Sequence, residues 1–168
     1  MTYNSIESFV QALENLKVTL PSMVVANTKI GVMELAVDIK NRVSKGGKTQ
    51  DNGLFSSYSK KYGAVKAKKG KDGLGKQSSF KNFYLTGDMW SSFGMKKIGL
   101  QGDVINSEIN FSGQNVYKSN QELDEIHSQK EFGSADTKKG IGYPSEAEEI
   151  KLVKSIELAI YIAITKAL

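Results

Sequence analysis

The chain has 168 residues, 39% of them hydrophobic and 24% charged, which is one domain's worth of globular sequence rather than a disordered tract. It contains no cysteine, so disulfides and cysteine-ligated metals are excluded. The net charge of +5 is uneven: segment 45–81 has ten Lys against Asp51 and Asp72, a net of +8, whereas 102–168 nets −4. The residues around Met1-Thr2-Tyr3-Asn4 lack a basic stretch leading into an apolar run, so no signal peptide is expected. No apolar stretch approaches the roughly 20 residues of a bilayer span, so no membrane is expected as a partner.

A first helix is expected from Asn4 or Ser5, either of which can cap it, with Asn4 and Glu7 resembling a capping box. Ile6, Phe9, Val10, Leu13 and Leu16 recur at helical spacing. Thr19-Leu20-Pro21 interrupts the pattern, and Pro21 suits the first turn of a second helix running to about Ser44. This helix has two apolar stripes. One comprises Met23, Ala26, Ile30, Met33 and Val37, and the other Val25, Val32, Ala36, Ile39 and Val43. A face that wide predicts burial on two sides, against a sheet and against another helix or subunit. Lys45-Gly46-Gly47 ends the helix.

From Lys45 to Lys81 a Lys/Gly/Ser-rich stretch is too polar to pack a core and is expected to project as a long, extended basic arm. Phe80 to Leu85 leads as a short strand or extended segment into the turn Thr86-Gly87-Asp88. Met89 to Lys97 and Val104 to Phe111 alternate as a β pair, joined by Gly99 to Asp103. The run from Val116 to Lys130 is helical or extended, near a Tyr117/Leu123/Ile126 contact, and a loop spans Phe132-Gly133-Ser134 to Gly142. Ser145 then caps a last helix whose apolar positions, from Ile150 to Ile164, predict burial around most of its circumference.

The residue types that carry chemistry elsewhere do not form a catalytic or ligand set here. His127 is the sole histidine and has no metal-ligand set or triad. Gly70-Lys71-Asp72-Gly73-Leu74-Gly75-Lys76 lacks the strand before, and the Gly-Lys-Ser/Thr ending of, a phosphate loop. Glu148 and Glu149 suit the dipole of a first helical turn. No catalytic residue, metal ligand or cofactor site is assigned, no small-molecule substrate is expected, and the chain is not read as an enzyme.

Three motifs carry a family resemblance: Arg42-Val43 followed by Gly53-Leu54-Phe55 and Tyr58-Ser59; Asn82-Phe83 with Thr86-Gly87-Asp88-Met89-Trp90-Ser91-Ser92; and Glu131-Phe132-Gly133. In order and spacing they resemble the tail-completion and head–tail joining proteins of tailed bacteriophages, also labelled virion morphogenesis or minor tail proteins, over roughly residues 35–135. The Pro-Ala-Arg-Pro-like stretch of many relatives is replaced by Tyr143-Pro144, which leaves the branch and the ring symmetry open. The resemblance implies a structural virion protein of the neck or tail, assembled in the host cytoplasm. It would form a ring of six or twelve copies and join portal or adaptor proteins to the tail.

The expected fold is α+β in a single domain. A small, mainly antiparallel sheet packs against a long N-terminal helix and a C-terminal helix, and the 45–81 arm projects. Candidate contacts with other subunits or partners are Phe55, Tyr58, Tyr62, Lys66, Lys68, Lys69, Phe80 and Trp90. The alternative is a nucleic-acid-binding accessory protein, in which arm lysines neutralise phosphate and the aromatics stack on bases. In a channel the two roles are compatible, with phage DNA as a passing contact.

Overall fold

The computed structural model describes residues 5–84, 86–102, 104–114, 118–132 and 140–168. Asn4, Leu85, Asp103, the Val116-Tyr117 pair and the loop from Gly133 lie outside the described residues. The fold is α+β, with a long N-terminal helix, a two-stranded antiparallel sheet and a C-terminal helix.

Helix α1 runs unbroken from Ile6 to Ser44. Its capping box pairs Ser5 with Ser8. The expected break at Pro21 does not occur. Proline removes one amide donor, a loss confined to one turn, while Thr19 Oγ1 and Ser22 Oγ donate to the Asn15 and Thr19 carbonyls beside it. At the other end Gly47 takes φ +59, and a Cβ there would lie 2.0 Å from Phe80, so the aromatic ring sits directly on the bare backbone.

The basic segment is folded rather than extended. It forms α2 (Lys60–Lys69) and α3 (Asp72–Lys76), which pack on each other. Its start folds back on itself through Phe55 N–H donating to Gly47 O, and its end is tied to α1 by Asn82 Nδ2 donating to Ser44 O. The segment 80–84 carries no strand; Phe83 takes φ +52, a conformation rare for a bulky residue.

Met89 and Trp90 lie in the short helix α4 (Asp88–Ser91), not in a strand. Gly87, at φ +90, turns the chain into that helix, and a Cβ on it would meet the Tyr84 hydroxyl at 2.6 Å. Strand β1 therefore starts only at Gly94 and runs to Gln101, pairing antiparallel with β2 (Val104–Asn110) through Leu100↔Ile105 and Ile98↔Ser107. Helix α5 spans Asn120–Phe132, and α6 spans Glu146–Ala167 behind a capping box of Ser145 and Glu148.

Both strands and α6 pack on α1. Gly31 allows the closest helix approach: a Cβ there would stand 2.8 Å from Leu152. The core lies at the C-terminal end of α1, where Val43, Phe55, Trp90, Phe111 and Ile141 are buried together. Trp90, Phe93 and Phe111 contact one another with ring centroids 4.6–5.3 Å apart, two of the three pairs edge-on.

Candidate functional site

The aromatic motif and the basic segment meet at Asn82, which is fully buried. Its Oδ1 accepts from Lys66 Nζ at 2.9 Å, Tyr84 N–H at 3.2 Å and Tyr58 OH at 3.3 Å. Its Nδ2 donates to Leu74 O at 2.8 Å and Ser44 O at 3.2 Å. Tyr58 OH in turn accepts the Phe83 amide at 2.9 Å, which holds that residue in its unusual conformation. Trp90 Nε1 donates to Asn82 O at 3.1 Å. One amide side chain thus joins α1, α2 and α3, its main-chain carbonyl holds the aromatic core, and every side-chain donor and acceptor is used.

Lys66 is the second centre of this network. Its side chain is fully buried, and its ammonium donates to Asn82 Oδ1 and Tyr84 O and lies 4.6 Å from the Tyr58 ring centroid. Burial lowers its pKa from 10.5 to about 8. Burial also raises the neighbouring Tyr62 hydroxyl above its ordinary value.

Of the eight candidate contacts, five turn inward. Phe55, Lys66 and Trp90 are buried, while Tyr58 and Phe80 are half-buried in the network and over Gly47. Lys66 and Trp90 lie deepest: the lysine stem is long enough to carry its charge to interior carbonyls, and Trp90 fills the core. Tyr62, Lys68 and Lys69 remain exposed. Lys60, Lys61, Lys71 and Lys76 are exposed too, so α2, α3 and the junction between them carry six exposed lysines. Asp72 is the only acid there, and its carboxylate is taken by Gly75 N–H and the Tyr84 hydroxyl.

A second clamp lies at Arg42, the residue that opens the first of the three motifs. Its guanidinium reaches Glu148 Oε1 at 2.9 Å, Lys48 O at 2.9 Å and Tyr143 O at 2.5 Å, tying the end of α1 to the start of α6. Both charged side chains are largely buried. The planar fork of arginine suits three acceptors in different directions.

Two further surfaces are open. A groove of about 640 Å³ runs between β2, α5 and the 140–144 turn, floored by Ile39, Phe93 and Phe111 and edged by Glu108, Asp124 and Glu125. Burial pushes the Asp124 carboxyl up to about 6; the Ser128 hydroxyl opposes this and the Glu125 charge adds to it. The other surface is apolar. The stripe containing Val32, Ala36, Ile39 and Val43 is buried, but Ile30, Met33 and Val37 of the neighbouring stripe are each more than half exposed. Contrary to the expectation for the last helix, α6 has no buried residue, and Leu158 and Tyr161 are 59% and 68% exposed.

Because α1 is continuous, it is also long and apolar enough to cross a membrane by length and composition, which the sequence pattern interrupted at Pro21 did not suggest. Just 28% of that apolar window is buried within the subunit. Among the described residues, no group of three His, Cys, Asp or Glu side chains gathers to hold a metal ion. His127 packs its ring 5.0 Å from Phe83. In comparisons with protein-family models, curated proteins and solved structures, nothing matches the chain.

Proposed function

We propose that this chain is a structural subunit that assembles with copies of itself into a ring at the head–tail junction of a tailed bacteriophage, joining portal-side proteins to the tail. The observation that carries the self-assembly is the bare apolar surface of α1 and α6. Ile30, Met33 and Val37 on one helix, and Ile150, Val153, Leu158 and Tyr161 on the other, stand exposed in the single subunit. A run of apolar side chains on two packed helices is the kind of surface that subunit contacts cover. The place in the particle rests on the motif resemblance, in which Asn82 and Arg42 gain a physical role as the two residues that lock the core.

Electron microscopy of the purified chain should show closed rings, and Leu158→Glu with Tyr161→Glu should abolish them while leaving the circular dichroism unchanged. Rings that persist in the double variant would remove the α6 face from the proposal, and a chain monomeric at every concentration would remove the ring.

The second reading, a nucleic-acid accessory protein, is favoured by the exposed lysines of α2 and α3, which have one engaged acid among them. In that case the chain should bind duplex DNA with a salt slope of about 0.9 per phosphate neutralised. Binding that is absent at low salt would dismiss it.

A further inference from the structure

We propose that the groove between β2, α5 and the 140–144 turn receives the lysine-rich outer face of α2 from a second copy of this chain. The inference rests on the self-assembly proposed above and names one of its contacts.

The two surfaces match in chemistry. The groove has an apolar, aromatic floor of Ile39, Phe93 and Phe111 beneath an acidic edge. A lysine side chain suits such a cleft, because its methylene stem covers apolar surface while the ammonium reaches the rim. Asp124 sits half-buried on that rim. Its hydrogen-bond partner is the Ser128 hydroxyl at 3.4 Å, and among the described residues no cation pairs with it. A sunken carboxylate without a cation is costly, and a lysine brought in from outside would relieve that cost. Glu125 is exposed beside it, and Glu108 has Lys97 alone at 3.9 Å in a solvent-exposed pair.

The complementary surface is on the same chain. Lys60, Lys61, Lys68 and Lys69 are exposed on α2, which has no acidic residue to neutralise them. Among the described residues the ion pairs are Arg42–Glu148, Lys97–Glu108 and Lys151–Asp38, so none of these four lysines is paired with a described carboxylate. Helix α2 packs chiefly on α3, with no extensive packing on α5. Donor and acceptor therefore occupy different surfaces of one subunit, the condition for head-to-tail contacts that close into a ring.

The test uses charge reversal in the full chain. Lys68→Glu with Lys69→Glu, and separately Glu108→Lys with Glu125→Lys, should each raise the concentration at half-assembly on the order of tenfold, measured by sedimentation at low salt. All four changes in one chain restore complementarity and should bring assembly back towards wild type. Either pair of changes assembling like wild type, or no recovery in the fourfold variant, would overturn the groove while leaving ring formation standing. A wild-type chain that does not self-associate would remove both. An independent readout uses the absence of cysteine: Lys68→Cys with Glu125→Cys should give a ladder of covalent oligomers under a short thiol cross-linker. Cross-linking confined to the monomer would contradict the contact even if a charge variant failed to fold.

Discussion

Replacing Asn82 by alanine is expected to destabilise the subunit by about 3–5 kcal/mol. The side chain makes contacts to Lys66, Tyr84, Tyr58, Leu74 and Ser44. Its removal takes one partner each from two carbonyls, a buried ammonium, the Tyr84 amide and the Tyr58 hydroxyl. Buried groups left without a partner cost about 1–3 kcal/mol apiece, and more when charged. Some water entry and relaxation reduce the sum, which still takes a large part of a domain's typical stability of about 5–15 kcal/mol. Asn82→Asp separates shape from hydrogen-bond direction. It keeps an acceptor for Lys66 but turns Nδ2 into an oxygen facing the Leu74 and Ser44 carbonyls. The loss of two donors and the new repulsion should make it about as destabilising as alanine, despite a new charge pair. Urea unfolding followed by fluorescence gives both values. Trp90 is the only tryptophan, is buried, and bonds to the Asn82 main chain, so the reporter survives either change. A loss below about 1 kcal/mol for alanine, or wild-type stability for aspartate, would refute the account of this network.

Other outcomes follow from the same geometry. Arg42→Ala should cost about 3–5 kcal/mol in the same unfolding assay, because Glu148 stays buried without its cation, and Arg42→Lys should recover only part of it. Lys66 has a lowered pKa of about 8, so above that pH the folded chain binds fewer protons than the unfolded one. Stability should therefore rise from about pH 8 towards 10, until Tyr62 and Tyr84, both held above their ordinary 10, reverse the slope. Lys66→Met should flatten that rise; a rise unchanged in Lys66→Met would assign it elsewhere. Asp124 has a raised pKa of about 6 against an ordinary 3.8, so the folded chain holds the extra proton between those values. Its contribution is largest below about pH 4 and is lost as the pH rises through 6, by at most about 3 kcal/mol. Asp124→Asn should remove this loss in pH-dependent melts and be the more stable protein at pH 7; equal stability there would contradict it.

The helical patterning of α1 and α6, the Ser145 cap and the alternation of β2 were legible because local periodicity and capping fix them. Periodicity does not say which of two apolar stripes is covered. That depends on where β1, β2 and α6 come to lie, and they cover Val32, Ala36 and Ile39 while leaving Ile30, Met33 and Val37 bare. Pro21 was misread as a boundary, since one missing amide is a local defect within a helix of 39 residues. The strand expected at Met89 gave way to α4 because Gly87, at positive φ, turns the chain into a helix there. The largest departure is the basic segment. Its composition describes an unstructured arm, yet Lys66 and Tyr58 anchor it on Asn82, a long-range polar network that no local pattern encodes. The signal available was a lone amide inside the aromatic run Phe80 to Tyr84. Arg42 stands in a motif and Glu148 in a first helical turn, but nothing local shows that residues 106 positions apart pair.

The native mass of the 168-residue chain, measured across a range of concentrations, tests the central claim most directly. The account expects one closed oligomer of fixed copy number to replace the monomer as concentration rises, and to dissociate when Leu158 and Tyr161 are made glutamate. A single 18.4 kDa species at every concentration would contradict it.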